Sequence, residues 1–332
     1  MRAAFYRRTG PAAEVLEVGD LPTPAPGPGE VLVRVHASGI NPADVKRRAG
    51  WQGLTMQHDL VVPHSDGAGV IEAVGEGVAA TRVGERVWLW NAQGGYEGPG
   101  RAHGTAAEYV ALPAPQAVPL PEALDFAAGA CLGIPAMTAH RAVLADGPVA
   151  GQTILIQGAG GAVGHFAVQF AVAGGARVIG TAGTEARRAH AREAGAEVVL
   201  DRHTDIAAAV LEATDGAGVD RVIEVDFAAN LATDIAVLKP NGWIAAYSST
   251  SEPEPRLPYY ALAFKGLNVR FVQGFNLPEE ARRQGEAEIA RLSAAGALNA
   301  AVGTHFPLDR IAEAHLAVEA GATVGNVVLD CA

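Results

Sequence analysis

A glycine-rich segment in the middle of the chain has the spacing that most directly suggests chemistry. Gly158, Gly161 and Gly164 fit the pattern G-x-x-G-x-x-G and follow an apolar run that ends at Ile156. A helical pattern and a second apolar run come after them. A strand, a tight turn, a helix and a second strand together place a pyrophosphate on the helix N-terminus. The segment therefore predicts a dinucleotide site, and a glycine turn without a ligand is the alternative.

The backbone of this turn is expected to make most of the contacts with the pyrophosphate. Glycines allow positive φ and let the main chain come close to phosphate oxygens, and the last glycine lets the helix pack near the sheet. The predicted contacts are Gly158, Gly160, Gly161, Ala162, Val163 and Gly164.

The end of the second strand predicts which dinucleotide is bound. NAD enzymes usually carry Asp or Glu there to accept hydrogen bonds from the ribose, whereas this strand ends at Thr181 and Gly183. Glu185 lies past the turn, and Arg187 and Arg202 follow. Because a guanidinium group offers several donors in one plane, it suits a 2′-phosphate. We predict NADP(H), with at least one of these arginines on the phosphate, and a solvated helix face is the alternative for Arg187.

Two kinds of secondary structure must position these residues. The first part of the chain predicts short strands separated by turns, at 31–36, 69–75, 85–90 and 107–112, which favours a compact barrel or curved sheet. After about residue 121, helices alternate with apolar strands, which indicates a parallel sheet covered on both faces. The predicted fold class is α/β, a β-rich domain joined to a doubly wound parallel sheet.

Composition excludes several classes of protein. The chain has 332 residues, 49% of them hydrophobic, and a formal net charge of −11 that disfavours nucleic acid and anionic membranes as partners. Two cysteines, Cys131 and Cys331, are too few for a disulfide framework or a cysteine-based zinc lobe. No apolar run reaches membrane-spanning length, and the first residues do not resemble a signal peptide. We therefore expect a cytoplasmic protein.

Several motifs extend this interpretation to a family. The chain resembles the zinc-independent branch of the medium-chain dehydrogenase/reductase superfamily, the quinone oxidoreductases similar to ζ-crystallin. The resemblance runs from the first residue to the last. The motifs that carry it are PGPGEVLV (26–33), GINPAD (39–44), SDGAGVIEAVG (65–75), GIP (133–135) and GTAGTE (180–185), with AEAH (312–315) near the end.

The resemblance implies a domain organisation and an assembly. A GroES-like catalytic domain would comprise residues 1–123 plus 267–332, and a Rossmann NADP(H)-binding domain would comprise 124–266. The active site of such proteins lies in the cleft between these domains. Family members usually pair through the Rossmann domain, so we expect a homodimer or a homotetramer.

The resemblance also implies that no metal is bound. Zinc-dependent members place their ligands at the positions that look like Asn41, Ser65-Asp66 and Ile134 here, and none of these supplies a thiolate or an imidazole. The catalytic residues carried over from the family are Asn41, Trp51 and Thr138. The cofactor contacts carried over are Ser248, Ser249 and Asn326.

The source of a proton is less determined by the sequence. Related enzymes often carry tyrosine where this chain has Trp51, and an indole can instead stack on a flat ring. The glycine-rich segment 91–103 is a candidate lid, and Tyr96 within it could supply the phenol. His64 and His103 are further candidates. Asp44 is interpreted as a helix cap.

These observations together predict hydride transfer from NADPH to a quinone. A quinone accepts hydride without a Lewis acid, because its product is an aromatic hydroquinone. One alternative is reduction of the C=C bond of an enone or enoyl thioester, which needs a positioned proton donor. An alternative of another class is a crystallin-like structural or RNA-binding protein.

Overall fold

The structure is a computed structural model that describes residues 1–95 and 99–332. The chain folds into two compact units. The first unit comprises Met1–Pro135 with Asn299–Ala332, and the second comprises Ala136–Leu298. None of the helices in the described ranges is long and apolar enough to cross a membrane.

The first unit is rich in β-structure. Its strands are β1 (Arg2–Phe5), β2 (Glu17–Asp20), β3 (Glu30–Ile40), β4 (Asp66–Val74), β5 (Arg86–Leu89), β6 (Tyr109–Pro113), β7 (Ala117–Pro119), β14 (Val302–Pro307) and β15 (Asn326–Asp330). Its helices are α1 (Ala12–Val15), α2 (Pro42–Ala49), α3 (Phe126–Gly129) and α11 (Ile311–Ala320).

The long strand β3 organises the first unit. Seven strands form one sheet in the order β14-β15-β3-β4-β5-β7, and β6 pairs with β3 beside that path. The pairs of β3 with β4, β6 and β15 are all antiparallel. Alternate residues of β3, Val31, Val33 and Val35, are fully buried in the core of this unit. The predicted β-rich domain is therefore confirmed.

The second unit alternates strands and helices. Its strands are β8 (Thr153–Ile156), β9 (Arg177–Ala182), β10 (Val198–Asp201), β11 (Val219–Glu224), β12 (Leu238–Ala246) and β13 (Asn268–Phe271). Its helices are α4 (Gly133–Leu144), in which the boundary between the units falls, α5 (Ala162–Ala173), α6 (Glu185–Glu193), α7 (Ile206–Ala213), α8 (Phe227–Val237), α9 (Tyr259–Lys265) and α10 (Glu279–Ala294).

All strand pairs of the second unit are parallel. The order across the sheet is β10-β9-β8-β11-β12-β13. Strands are added toward one edge from β8 to β10 and toward the other edge from β11 to β13, so the strand order reverses between β8 and β11. In open parallel sheets of this kind, ligands bind beyond the carboxyl ends of the strands at that reversal. The glycine turn follows β8, so the fold places it at the expected position. The predicted doubly wound sheet is confirmed.

The two compact units differ from the predicted domains at residues 124–135 and 267–298. Strand β13 pairs with β12, from Trp243 opposite Asn268 to Ala246 opposite Phe271, and so belongs to the parallel sheet. Met137 and His140 of α4 pack against Gly285 of α10 within the second unit. The division into domains 1–123 plus 267–332 and 124–266 stays a prediction about functional domains.

Candidate functional site

The glycine turn has a backbone that only glycine adopts readily. Gly158 lies in the left-handed region, with φ of +68°. A methyl group at Gly164 would overlap the carbonyl oxygen of Gly158 and lie 2.8 Å from Ala159 Cα. Helix α5 therefore begins directly against the turn, and its N-cap, Gly161, offers no side-chain acceptor. The first N–H groups of α5 are thus available to an anion, as a pyrophosphate requires.

Two arginines lie beside the ends of β9 and β10. The Arg202 side chain packs over Gly183, where an added methyl would lie 2.6 Å from its Nε. Arg187 packs over Gly160, where an added methyl would lie 2.7 Å from Arg187 Cβ. Burial and the charge of Arg202 lower the pKa of Arg187. Two guanidinium groups close enough to repel each other next to the glycine turn form a place suited to a phosphate.

The neighbouring charges are paired with each other. Arg188 contacts Glu185 at 3.0 Å and Asp201 at 2.8 Å, and Glu185 also contacts Arg192 at 2.9 Å. Glu185 is therefore engaged by arginines of its own helix. Arg188 faces two carboxylates.

Thr181 lies beneath the turn. Its side chain is buried, accepts from the Gly158 N–H at 3.1 Å and donates to Gln157 Oε1 at 2.9 Å. The sequence analysis missed Gln157, together with two buried carboxyl groups that continue from it, Glu224 and Asp234. A glutamate at the end of the apolar strand RVIEV is the signal that could have revealed them.

The three remaining predicted cofactor contacts have hydrogen bonds within their own units. Ser249 accepts from the Ala228 N–H at the start of α8 and donates to the Glu252 carbonyl oxygen. Ser248 lies 2.9 Å from the Thr250 hydroxyl. Asn326, at the start of β15, donates from Nδ2 to the carbonyl oxygen of Ala301. Their roles in cofactor binding stay predictions.

Asn41 belongs to a buried polar network in the first unit. Its Nδ2 donates to Asp66 Oδ2 at 2.7 Å, and the Ile134 N–H donates to the same oxygen at 2.8 Å. Asp44 Oδ2 accepts from the Asn41 N–H at 2.8 Å, as in a capping box, so the interpretation of Asp44 as a cap is confirmed. Ser65 Oγ lies 3.3 Å from the other oxygen of Asp44.

This network does not fit a catalytic zinc ion. Burial raises the pKa of Asp44 to about 6, and burial raises the pKa of Asp66 well above its usual range. An amide and two carboxyls that are already engaged in hydrogen bonds, with a serine hydroxyl, are poor zinc ligands, since zinc sites are built mainly from thiolates and imidazoles. Within residues 1–95 and 99–332, no group of three or more His, Cys, Asp or Glu side chains could hold a metal ion.

The other predicted catalytic residues lie in separate units. Trp51 in the first unit begins a short 3₁₀ turn, and Lys46 Nζ lies 4.6 Å from the centre of its indole ring. One face of the indole is therefore covered by a cation. Thr138 in the second unit is buried in α4. Their contacts with a substrate stay predictions.

The described parts of the predicted lid are anchored to the first unit. Arg101 donates to the carbonyl oxygens of Asn91 and Ala92 and to Gln116 Oε1, at distances of 2.6–2.7 Å. His103 is half-buried, and its backbone forms an isolated parallel β-bridge with Val62. Tyr96 lies outside the described residues. The lid hypothesis therefore keeps support only from composition.

His64 is placed differently from the sequence interpretation. Its ring is fully buried inside the first unit, with Nδ1 at 2.9 Å from Ser38 Oγ and Nε2 at 2.9 Å from His315 Nε2. Its backbone adopts φ of +77°. Burial and the neighbouring His315 lower the pKa of His64 well below its usual value. A neutral, enclosed imidazole of this kind holds the fold together and is not exposed to donate a proton to a substrate.

The histidine pair predicts a loss of stability in acid. Burial and Arg48 lower the pKa of His315 to about 3. Unfolded histidines bind protons below about pH 6.5 and these two do not, so the free energy of unfolding falls as the pH drops, by up to about 1.4 kcal/mol per pH unit for each. In His315→Gln, the unfolding free energy measured in urea between about pH 7 and about pH 5 should fall less steeply. The exposed His203→Gln is the control, and equal slopes in His315→Gln and the wild type would contradict this account.

Two family models match the chain. The alcohol dehydrogenase GroES-like domain matches residues 27–122, and the zinc-binding dehydrogenase domain matches residues 162–291. Together they match more than half of the sequence. The first falls in the β-rich unit and the second in the unit with the parallel sheet.

Individual relatives extend the match to nearly the whole chain. Human quinone oxidoreductase is 34% identical over 311 residues, which cover 91% of this chain and 89% of the human protein. A solved NAD-dependent alcohol dehydrogenase is 32% identical, with a TM-score of 0.90 and full coverage of both chains. A mycobacterial protein solved in complex with NADPH is 31% identical, with a TM-score of 0.86 and 99% coverage of both chains. This chain therefore belongs to the medium-chain dehydrogenase/reductase superfamily of oxidoreductases and is similar to its quinone oxidoreductases.

Proposed function

We propose that this oxidoreductase transfers hydride from NADPH to a quinone. The observation that carries the proposal is the pair of guanidinium groups, Arg187 and Arg202, beside a glycine turn whose nearest carboxylate, Glu185, is held by other arginines. A dinucleotide with a 2′-phosphate gains two charge-assisted contacts there. The quinone is supported by the similarity to quinone oxidoreductases.

The cofactor is NADP(H). The two solved relatives described above differ in their dinucleotide, since one is NAD-dependent and the other is in complex with NADPH. The decision for this chain therefore rests on its own residues. An NAD site usually carries a carboxylate at the ribose, whereas Thr181, Gly183 and Arg202 stand at the ends of β9 and β10 here.

The chain's own residues suit a reaction without a metal. When bound, NADPH supplies the hydride. The glycine turn and the N-terminus of α5 would hold the pyrophosphate, and Arg187 and Arg202 the 2′-phosphate. Asn41, Trp51 and Thr138 are proposed to contact the substrate. Because the amide of Asn41 is held by Asp66, it would present one fixed orientation to a quinone oxygen. We also propose that the enzyme is zinc-independent, because the polar network around Asn41 contains no thiolate or imidazole.

The substrate class is tested by comparing acceptors at saturating NADPH. Reduction of an enone at Cβ requires a proton at Cα from a positioned donor, and His64, one candidate donor, is enclosed. We therefore expect kcat/KM for 1,2-naphthoquinone to exceed that for an alkenone and for crotonyl-CoA by at least about 100-fold. Fast reduction of the alkenone with negligible turnover of the quinone would favour the alternative reaction.

A structural or RNA-binding protein is the alternative of another class. The net charge of −11 opposes binding to a polyanion. Quenching of tryptophan fluorescence by NADPH separates the classes, because a purely structural protein would show no saturable response to NADPH or NADH. The cytoplasmic location stays a prediction from composition that cell fractionation would check.

We propose that two copies pair through the edge of the parallel sheet. Four large side chains there, which we call the edge patch, are mostly exposed: Tyr259 at 71%, Tyr260 at 69%, Phe264 at 85% and Phe271 at 70%. Within the described residues, β13 pairs with β12 alone, so its other side is an open edge. An open strand with apolar neighbours favours pairing with an identical strand across a two-fold axis.

Two charged substitutions in the edge patch are expected to yield a monomer. Phe264→Glu/Phe271→Glu would place four carboxylates in a two-fold interface, so light scattering after size exclusion should give the mass of one chain. Leu316→Glu in α11, which replaces a partly exposed apolar side chain of the first unit, is the matched control and should leave the mass unchanged. A wild type that is monomeric at about 10 µM, where a stable dimer of this kind should persist, would remove the proposal.

A further inference from the structure

Two carboxyl groups are buried together below the glycine turn. Glu224 is the last residue of β11 and Asp234 lies in α8, and both are fully buried. Glu224 Oε1 accepts from Asn230 Nδ2 at 3.0 Å and from the Asp226 N–H, and Asp234 Oδ1 accepts from Gln157 Nε2 at 3.2 Å. In the described part of the chain, Glu224 Oε2 and Asp234 Oδ2 have no donor.

These two oxygens require a proton between them. The two carboxyls interact directly, and burial raises the pKa of both, with the charge of Glu224 adding to the effect on Asp234. Two ionised carboxylates in contact and out of water would repel each other strongly, so one of them keeps its proton. Asp226 after β11 and Tyr247 after β12 also face Glu224, and the pKa of the Tyr247 phenol is raised by burial and by Glu224.

A line of hydrogen bonds runs from this pair to the turn. Gln157 donates to Asp234 and accepts from Thr181 Oγ1, which fixes the orientation of its amide. The Thr181 hydroxyl donates its hydrogen to Gln157, and its oxygen accepts a hydrogen bond from the Gly158 N–H. The line therefore ends at the residue whose positive φ shapes the turn.

We propose that the Glu224–Asp234 pair holds a single proton, and that this proton fixes the glycine turn in the conformation that binds the dinucleotide. Asp234, Gln157 and Thr181 are then positioning residues for the cofactor. Loss of the proton at alkaline pH leaves two adjacent charges with no hydrogen between them. The carboxyls separate, Gln157 loses its acceptor, and the turn is released. The inference rests on the proposed binding of NADPH at this turn.

Fluorescence titration of NADPH across about pH 7 to about pH 10 tests the proposal. If only the protonated pair binds, the wild-type Kd rises by up to about tenfold per pH unit above the apparent pKa of the pair. In Asp234→Asn, the new amide would donate to Glu224 permanently and still accept from Gln157. Its Kd should vary little with pH.

Matched controls separate this pair from other titrating groups. Asp220→Asn changes a carboxylate at the opposite end of β11 that pairs with Lys239, and should keep the wild-type pH profile. Tyr247→Phe should keep it as well. Identical pH profiles for the wild type and a folded Asp234→Asn would overturn the proposal. A wild type that does not bind NADPH even at pH 7 would instead refute the proposed function.

If Asp234→Asn does not fold, a measurement on the wild type alone still tests whether NADPH binding depends on the shared proton. Calorimetric titrations of NADPH at about pH 9, in buffers of different ionisation enthalpy, count the protons taken up on binding. Where the pH exceeds the apparent pKa of the pair, binding that restores the shared proton should take up close to one proton. Uptake that stays at zero across the alkaline range would overturn the proposal.

Discussion

Removal of both arginines beside the cofactor site, in Arg187→Ala/Arg202→Ala, is expected to raise KM for NADPH by about 100-fold and to leave KM for NADH within about threefold. A hydrogen bond to a charged group contributes about 1.5–3 kcal/mol, so two phosphate contacts account for a change of this size. NADH lacks the 2′-phosphate and loses nothing. Steady-state kinetics with 1,2-naphthoquinone and each dinucleotide measures both constants.

Arg188→Ala is the matched control for this variant. Arg188 lies on the same helix as Arg187, but its guanidinium contacts Glu185 and Asp201. Because these two carboxylates engage its guanidinium, its removal should change KM for NADPH by less than about twofold. An equal loss in the control and in the double variant would show that general positive charge attracts the cofactor. An unchanged KM in the double variant would place the 2′-phosphate elsewhere.

Gly164→Ala is expected to abolish NADPH binding, with a Kd raised by more than about 100-fold. The new methyl would overlap the Gly158 carbonyl oxygen, and that contact is with backbone, which has little freedom to move. Helix α5 would have to shift away from the turn. Overpacking typically costs about 1–3 kcal/mol of stability, and the shift would also misplace the N–H groups that hold the pyrophosphate.

Gly19→Ala separates the local effect from a general cost of adding a methyl group. A methyl at Gly19 in β2 would meet only ordinary van der Waals contacts, the nearest at 3.5 Å from the Phe5 ring. Urea denaturation and NADPH titration of both variants, with the wild type, measure stability and affinity separately. A folded Gly164→Ala that binds NADPH within about threefold of the wild type would contradict the role given to this glycine.

The parallel sheet could be predicted from the sequence because its strands are buried on both faces. Strand β8 is a short, mostly apolar run that is followed closely by the glycine turn. The end of β8 and the start of α5 can therefore both be located in the sequence. Edge strands carry less of this signal. Strand β13 is only partly buried and β14 alternates between half-buried and exposed positions, so both were missed.

The polar interior could not be predicted in the same way. His64 is a candidate proton donor by sequence, yet its ring is enclosed by His315, which lies 251 residues away in the sequence. No local pattern reports such a contact. Glu224 and Asp234 likewise become a pair only when α8 packs on β11. Asp44 was interpreted correctly, because a helix cap is a local feature that depends on Asn41, three residues before it.

The direct measurement of the proposed reaction is a single turnover under anaerobic conditions. Protein dialysed against EDTA and loaded with NADPH is mixed with 1,2-naphthoquinone while absorbance at 340 nm is followed. We expect one hydroquinone to form per NADPH oxidised, and deuterium at the transferred position of the nicotinamide to slow the step. Bound NADPH that stays unoxidised, or is oxidised only after zinc is added, would contradict metal-free transfer of hydride to a quinone.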